Sequence, residues 1–209
     1  MIVGKLLSDG WLEKYSKNSN VRFRFKQSIK QTNYVIHSFM ILSHYSSNIP
    51  NLIKNNRKGQ THYSVLLSTR LLPCFNELYT LFYKNKVKVI PDNIYDLLTP
   101  LVLIYSILKP TPGPMGRGRA RRGLALAHWI MGDGASLNKG LVLCTDSYTL
   151  QEVVLLMNVL KIKYDINSSI QGYKKGRPRI YILSESMPKL RKLVNFHMLP
   201  SIMYKLNKS

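Results

Sequence analysis

The sequence predicts an α+β fold in which one run of helices and strands occurs twice, giving two halves with pseudo-twofold symmetry. Three observations predict it. A short apolar run closing on aspartate and glycine stands at Ile2–Gly10 and again within Leu124–Gly134, so that Asp9 aligns with Asp133 and Gly10 with Gly134. The order helix, strand, strand, helix, strand, helix appears roughly twice, each time opening on a motif copy. Several segments alternate apolar and polar residues, Val21–Gln27 most cleanly, and period two marks a strand with one face in a core.

Residues 1–9 read as a helix whose beginning is missing, as expected of a chain that starts inside a longer reading frame. Two turns are too few to stand without packing. Gly4 and Ser8 lie four apart on one face, and small residues at that spacing let a second helix approach closely. Trp11–Tyr15 reads as a strand and Ser16–Asn20 as a polar turn. In Val21–Gln27, Val21, Phe23 and Phe25 point one way and Arg22, Arg24 and Lys26 the other. A row of positive charge alone suits a phosphate-lined groove.

Tyr34–Tyr45 reads as a helix with Tyr34, Ile41, Leu42 and Tyr45 near its apolar side. Asn48–Gln60, polar and basic, reads as a loop, and Tyr63–Ser68 as a strand. Pro73–Tyr83 follows as a helix with proline at its start. Lys84–Lys88 is a basic loop, and Pro91 opens a short helix through Leu98.

Lys109–Gly123 is dense in proline, glycine and arginine, a composition that predicts a flexible basic linker. Its glycines are not a dinucleotide loop, which requires a strand before and a helix after. Beyond it, Leu124–Met131 reads as an apolar helix and Gly140–Thr145 as a strand. Thr149–Lys161 reads as a helix capped by Thr149, with Glu152 in the capping-box position. Ser168–Gln171 and Arg179–Leu183 read as hairpin strands around a basic turn that carries Lys174 and Lys175. Arg179 and Tyr181 share the face opposite Ile180 and Ile182, and Met187–Phe196 closes the chain as a helix. The expected layout is a first half at 1–100, a linker or insertion at 101–123 and a second half at 124–209.

Charge narrows the function. Lysine and arginine number 31 against 10 acids, a net +21, and such an excess favours a polyanionic partner, nucleic acid first. A hydrophobic fraction of 45% is that of a folded protein. No apolar run approaches the roughly 20 residues of a membrane span, so a soluble protein is expected. Neither a secretory signal nor an arginine-rich import leader is visible. Cys74 and Cys144 form no Cys-x-x-Cys and are expected to be inert thiols in a reducing compartment. The scattered histidines give no zinc spacing.

The scarce acids are informative. Two of the ten end the matching apolar runs, where the helix macrodipole disfavours aspartate. Two such helices packed side by side would bring two carboxylates together, and paired carboxylates can hold a divalent metal.

The two motif copies, with Lys88-Val-Ile-Pro91, Leu98-Thr-Pro100, Val142–Thr149, Arg177–Ile182 and Leu199–Lys205 spaced between and after them, carry a resemblance. The chain resembles the single-chain LAGLIDADG homing endonucleases encoded in group I introns of fungal organelle genomes, nearly end to end. The resemblance implies two αββαββα-type halves, motif helices packed at the centre, and two antiparallel sheets forming a saddle on double-stranded DNA. It implies Mg²⁺ (or Mn²⁺) held by Asp9 and Asp133, a monomer acting as a pseudo-dimer, and a mitochondrial origin without a leader. By position Lys88 matches a catalytic lysine of the first half, and Arg177 stands where the second half usually has lysine. Arginine keeps the charge but cannot act as a base at neutral pH. Lys26 and Gln27 sit where the family places residues around the metal and DNA. With Arg22, Arg24, Lys174, Lys175, Arg179 and Tyr181 they are the expected nucleic-acid contacts. The expected activity is site-specific cleavage of both DNA strands. The alternative is an intron maturase or a catalytically degenerate nucleoprotein component, with intron RNA as partner.

Overall fold

The computed structural model describes residues 1–57, 59–98, 123–172 and 176–206. The expected linker, apart from Gly123, and the turn lysines Lys174 and Lys175 lie outside the described residues. In chain order the elements are α1 (Ile2–Leu6), β1 (Gly10–Lys14), β2 (Val21–Ser28), α2 (Thr32–Leu42), β3 (Asn51–Arg57), β4 (Gln60–Ser68) and α3 (Asn76–Phe82). They continue with the two-residue strands β5 (Tyr83–Lys84) and β6 (Val87–Lys88), α4 (Ile94–Leu97), α5 (Leu124–Asp133), β7 (Gly134–Leu137) and β8 (Gly140–Leu143). Last come α6 (Leu150–Tyr164), β9 (Ser168–Gln171), β10 (Arg179–Ile182) and α7 (Met187–Val194), followed by 3-10 turns through Leu206. The chain divides into two compact units, Asp9–Tyr83 and Met1–Ser8 with Lys84–Ser209.

In the unit Asp9–Tyr83, an antiparallel sheet runs in the order β1-β2-β4-β3. The alternation of β2 holds: Val21, Phe23 and Phe25 are fully buried, and Phe25 meets Tyr34 of α2 edge to face at 5.0 Å. Thr69 and Asn76 complete the strand's polar needs, accepting from the amides of Phe23 and Val21 at 3.0 Å each.

Two expectations give way here. Asn51–Arg57 is a strand, paired with β4 over seven positions. Its polar composition reads as loop because an edge strand has little to bury and keeps charged and polar side chains in water. Ile41 is exposed, whereas the buried stripe of α2 is Tyr34, Val35, Ser38 and Leu42. At 100° per residue Ile41 falls on the margin of that stripe.

In the other unit, α1 packs against α5. Gly4 makes the approach possible: a Cβ built on it would lie 2.0 Å from the carbonyl oxygen of Ala125. The second antiparallel sheet runs β7-β8-β10-β9. Its inner face is Leu141, Leu143, Ile180 and Ile182, all fully buried. The same core takes Val153, Leu156 and Leu160 of α6 and Leu190 and Val194 of α7. The capping box of α6 is present, with Thr149 Oγ accepting from the Glu152 amide at 3.3 Å and Glu152 Oε2 accepting from the Thr149 amide at 2.7 Å.

β7 goes beyond the sequence reading, which places no strand directly after the motif helix. The helix turns into the strand at Gly134, where a Cβ would sit 2.5 Å from the Ile130 carbonyl oxygen. The glycine of the motif is therefore required for space, since its φ of −72° is one any residue adopts. No helix among the described residues is long and apolar enough to cross a membrane.

Candidate nucleic-acid and metal site

Each motif copy ends in the same local arrangement. In the second copy, Asp133 is the last residue of α5. Helix ends leave carbonyl oxygens without intrahelical donors. Here the Lys205 ammonium donates to the carbonyls of Met131 at 2.8 Å and Gly132 at 2.7 Å. The cation also offsets the negative end of the helix dipole, where an aspartate is otherwise unwelcome. In the first copy, Lys88 Nζ donates to the Ser8 carbonyl at 3.2 Å. In both, a lysine is bonded to the carbonyl immediately before the motif aspartate.

Lys205 is the residue that sequence reasoning misses. A signal for it exists: Leu199–Lys205 is one of the matching blocks, but nothing in residue order gives its lysine a role. It is brought to α5 by the 3-10 turns of residues 200–206, anchored by buried Ile202 and Leu206. Arg177 is an exposed residue ahead of β10, within electrostatic range of Asp146.

Asp9 is exposed, and its Oδ2 accepts from Gln27 Nε2 at 2.6 Å. Asp133 is half-buried. No group of three or more His, Cys, Asp or Glu side chains gathers among the described residues. Asp9 and Asp133 each offer hard carboxylate oxygens, the donor type that a divalent ion such as Mg²⁺ takes alongside waters and substrate phosphate. Cys144 lies near Asp133, and burial pushes its thiol up, as it does that of Cys74. Neither is a thiolate at neutral pH.

The outward face of β2 is more constrained than a row of free charges. Glu13, opposite Arg22 in the β1–β2 register, bonds both Arg22 and Arg24, at 2.5 and 2.9 Å. Lys26 is exposed and lines an open groove of about 500 Å³ with Lys30, Asn55, Thr61 and His62. On the second sheet Arg179 makes a two-pronged bond to Asp146, 2.6 Å on each oxygen. Tyr181 shares its face.

The model of the LAGLIDADG DNA endonuclease family matches residues 1–109 and 122–190. The chain belongs to this family. It is 34% and 33% identical to the cytochrome b mRNA maturases bI2 of Debaryomyces hansenii and Saccharomyces cerevisiae, in each case over 99% of this chain, spanning 72% and 46% of those proteins. It is 27% identical to the probable intron-encoded endonuclease 1 of Wickerhamomyces canadensis, over 98% of this chain and 81% of that protein. Among solved structures it is similar to the homing endonuclease I-WcaI bound to its DNA recognition sequence, with a TM-score of 0.79 and 26% identity over 99% of this chain and 84% of that one. The expected LAGLIDADG fold, two antiparallel sheets with paired motif helices, therefore holds.

Proposed function

We propose that this LAGLIDADG protein is an intron-encoded homing endonuclease that hydrolyses both strands of a long, specific DNA site with Mg²⁺ or Mn²⁺. The observation that carries the reading is the repeated end of the motif helices: an aspartate after a carbonyl held by lysine, Lys88 in one copy and Lys205 in the other. Asp9 and Asp133 are the proposed metal ligands. When bound, the metal supplies an activated water and stabilises charge developing on the phosphate.

The chain's own groups do the rest. Gln27 orients the Asp9 carboxylate through its 2.6 Å bond. Lys88 and Lys205 hold positive charge at the carbonyl that precedes each aspartate in the chain, and their proposed role is electrostatic stabilisation of the phosphate in the transition state. Arg177 is assigned to phosphate contact, since a guanidinium stays protonated. Lys26, Lys174, Lys175, Arg22, Arg24, Arg179 and Tyr181 bind DNA. The protein works as a monomer with halves at 1–100 and 124–209, and its proposed place is the mitochondrion.

A second reading is supported by the name of the 34% identical relative, an mRNA maturase: the basic surface binds intron RNA and aids splicing. One assay separates the two. The parent and an Asp133→Asn variant are incubated with Mg²⁺ and DNA spanning an intronless insertion site. Cleavage of both strands by the parent, lost in a variant that still binds DNA, is the expected result. No cleavage by the parent, with equal metal-independent binding of intron RNA by both proteins, selects the maturase.

A further inference from the structure

On a surface meant for a polyanion, negative charge needs a reason. The chain has only ten acids, yet two of them hold arginines on the outward strand faces. Glu13 Oε2 accepts from both Nε and Nη2 of Arg22 at 2.5 Å, and its Oε1 accepts from Arg24 Nη1 at 2.9 Å. Arg24 Nε donates to Ser68 Oγ at 3.2 Å. Aromatic rings back the same pair, with Tyr15 at 4.7 Å from the Arg22 guanidinium and Trp11 at 5.6 Å from that of Arg24. On the other sheet, Asp146 takes the Nε and Nη2 edge of Arg179 at 2.6 Å on both bonds.

Stability is a weak explanation, because ion pairs that stay partly open to solvent contribute little. Phosphate affinity is a worse one, since each carboxylate cancels a charge that phosphate would use. Orientation explains the arrangement. A guanidinium has five N–H donors. Arg22 and Arg179 each give the Nε–Nη2 edge to the carboxylate, which leaves the Nη1–Nη2 end free to present two parallel donors. That end matches the O6 and N7 acceptors of guanine in the major groove.

We propose that Arg22 and Arg179 are guanine readers, and that Glu13 and Asp146 are positioning residues that fix their geometry and suppress their binding to phosphate, with Arg24 serving to brace Glu13. The proposal rests on the DNA-binding reading above. In it, the acids weaken indiscriminate binding and sharpen base choice.

The test is selection from a pool of randomised DNA duplexes in EDTA, using the full chain, followed by sequencing of the bound fraction. Parent, Glu13→Gln and Asp146→Asn are compared, with melting temperature measured for each. The parent is expected to enrich a consensus containing guanines. Glu13→Gln is expected to lose about tenfold in guanine preference at one or two adjacent positions and keep the rest, and Asp146→Asn to do so at a different position. Both variants should bind a scrambled duplex more tightly, with a slope of log K against log salt steeper by about one. An unchanged consensus and salt slope in both variants overturns the proposal. So does a uniform loss at every position accompanied by a lower melting temperature, which is the signature of a structural role. If the parent itself enriches no consensus, the site-specific endonuclease reading fails with it.

Discussion

Gly4 and Ala125 touch backbone to backbone: a Cβ at Gly4 would stand 2.0 Å from the Ala125 carbonyl oxygen. The two motif helices pack at a distance that only hydrogen permits. Gly4→Ala is therefore expected to force α1 away from α5. Overpacking of this kind costs about 2 kcal/mol, or roughly 4–8 °C in melting temperature for a chain of this size. Because Asp9 follows α1 and Asp133 ends α5, cleavage should fall by more than the loss of folded protein explains. A variant that melts with the parent would show that the seam tolerates a methyl group.

Lys205 distinguishes a structural cap from a part of the chemistry. Lys205→Met removes the bonds to Met131 and Gly132. As a helix cap alone it should cost up to about 1 kcal/mol. As an electrostatic partner of the reacting phosphate it should lower the single-turnover cleavage rate roughly a hundredfold. Lys88→Met is expected to behave alike. Full cleavage by Lys205→Met, with loss in Arg177→Met, would return the role to Arg177.

Glu152 serves two backbone sites at once. Its Oε2 closes the capping box of α6, and its Oε1 accepts from the Ile90 amide at 2.8 Å. Glu152→Ala leaves that amide and the Thr149 amide without their acceptor. A cost of about 2 kcal/mol is expected, read as a lower urea midpoint with unchanged slope.

Acid should undo the arginine clamps in a defined window. The hydrogen bond from Arg179, opposed by some desolvation, holds the Asp146 carboxyl below its ordinary 3.8. Desolvation pushes Glu13 up, but bonds from Arg22, Tyr15 and Arg24 prevail and hold it below its ordinary 4.5. A depressed folded value means the stabilisation is complete above the ordinary carboxylate range and lost as pH falls through the lowered value. The melting-temperature difference between the parent and Asp146→Asn, small for a pair this exposed, should thus be constant from pH 7 to about pH 5 and vanish in stronger acid. A difference that grows on acidification would mean the pair is not formed.

Residue order alone makes several of these features legible. The strand β2, the capping box at Thr149 and Glu152, and the outward pair Arg179 and Tyr181 are local patterns, and local patterns survive folding. Asn51–Arg57 is not legible in that way, since a polar edge strand owes its existence to hydrogen bonds from β4 rather than to its own burial. β7 escapes for a related reason: it follows a helix without any turn residues, and what permits the junction is the missing side chain of Gly134.

By itself the sequence determined the repeated motif, the aspartate at the end of each copy, the scale of the positive charge and the family. These are properties of residue order and composition. Only the tertiary structure decided which lysine stands beside Asp133, because residues 132 and 205 meet through the packing of the C-terminal turns on α5. It also decided that the arginines of the strand faces are held rather than free. Alternation tells which face a side chain takes, but its partner comes from the register of the neighbouring strand or loop, and register is set by the fold.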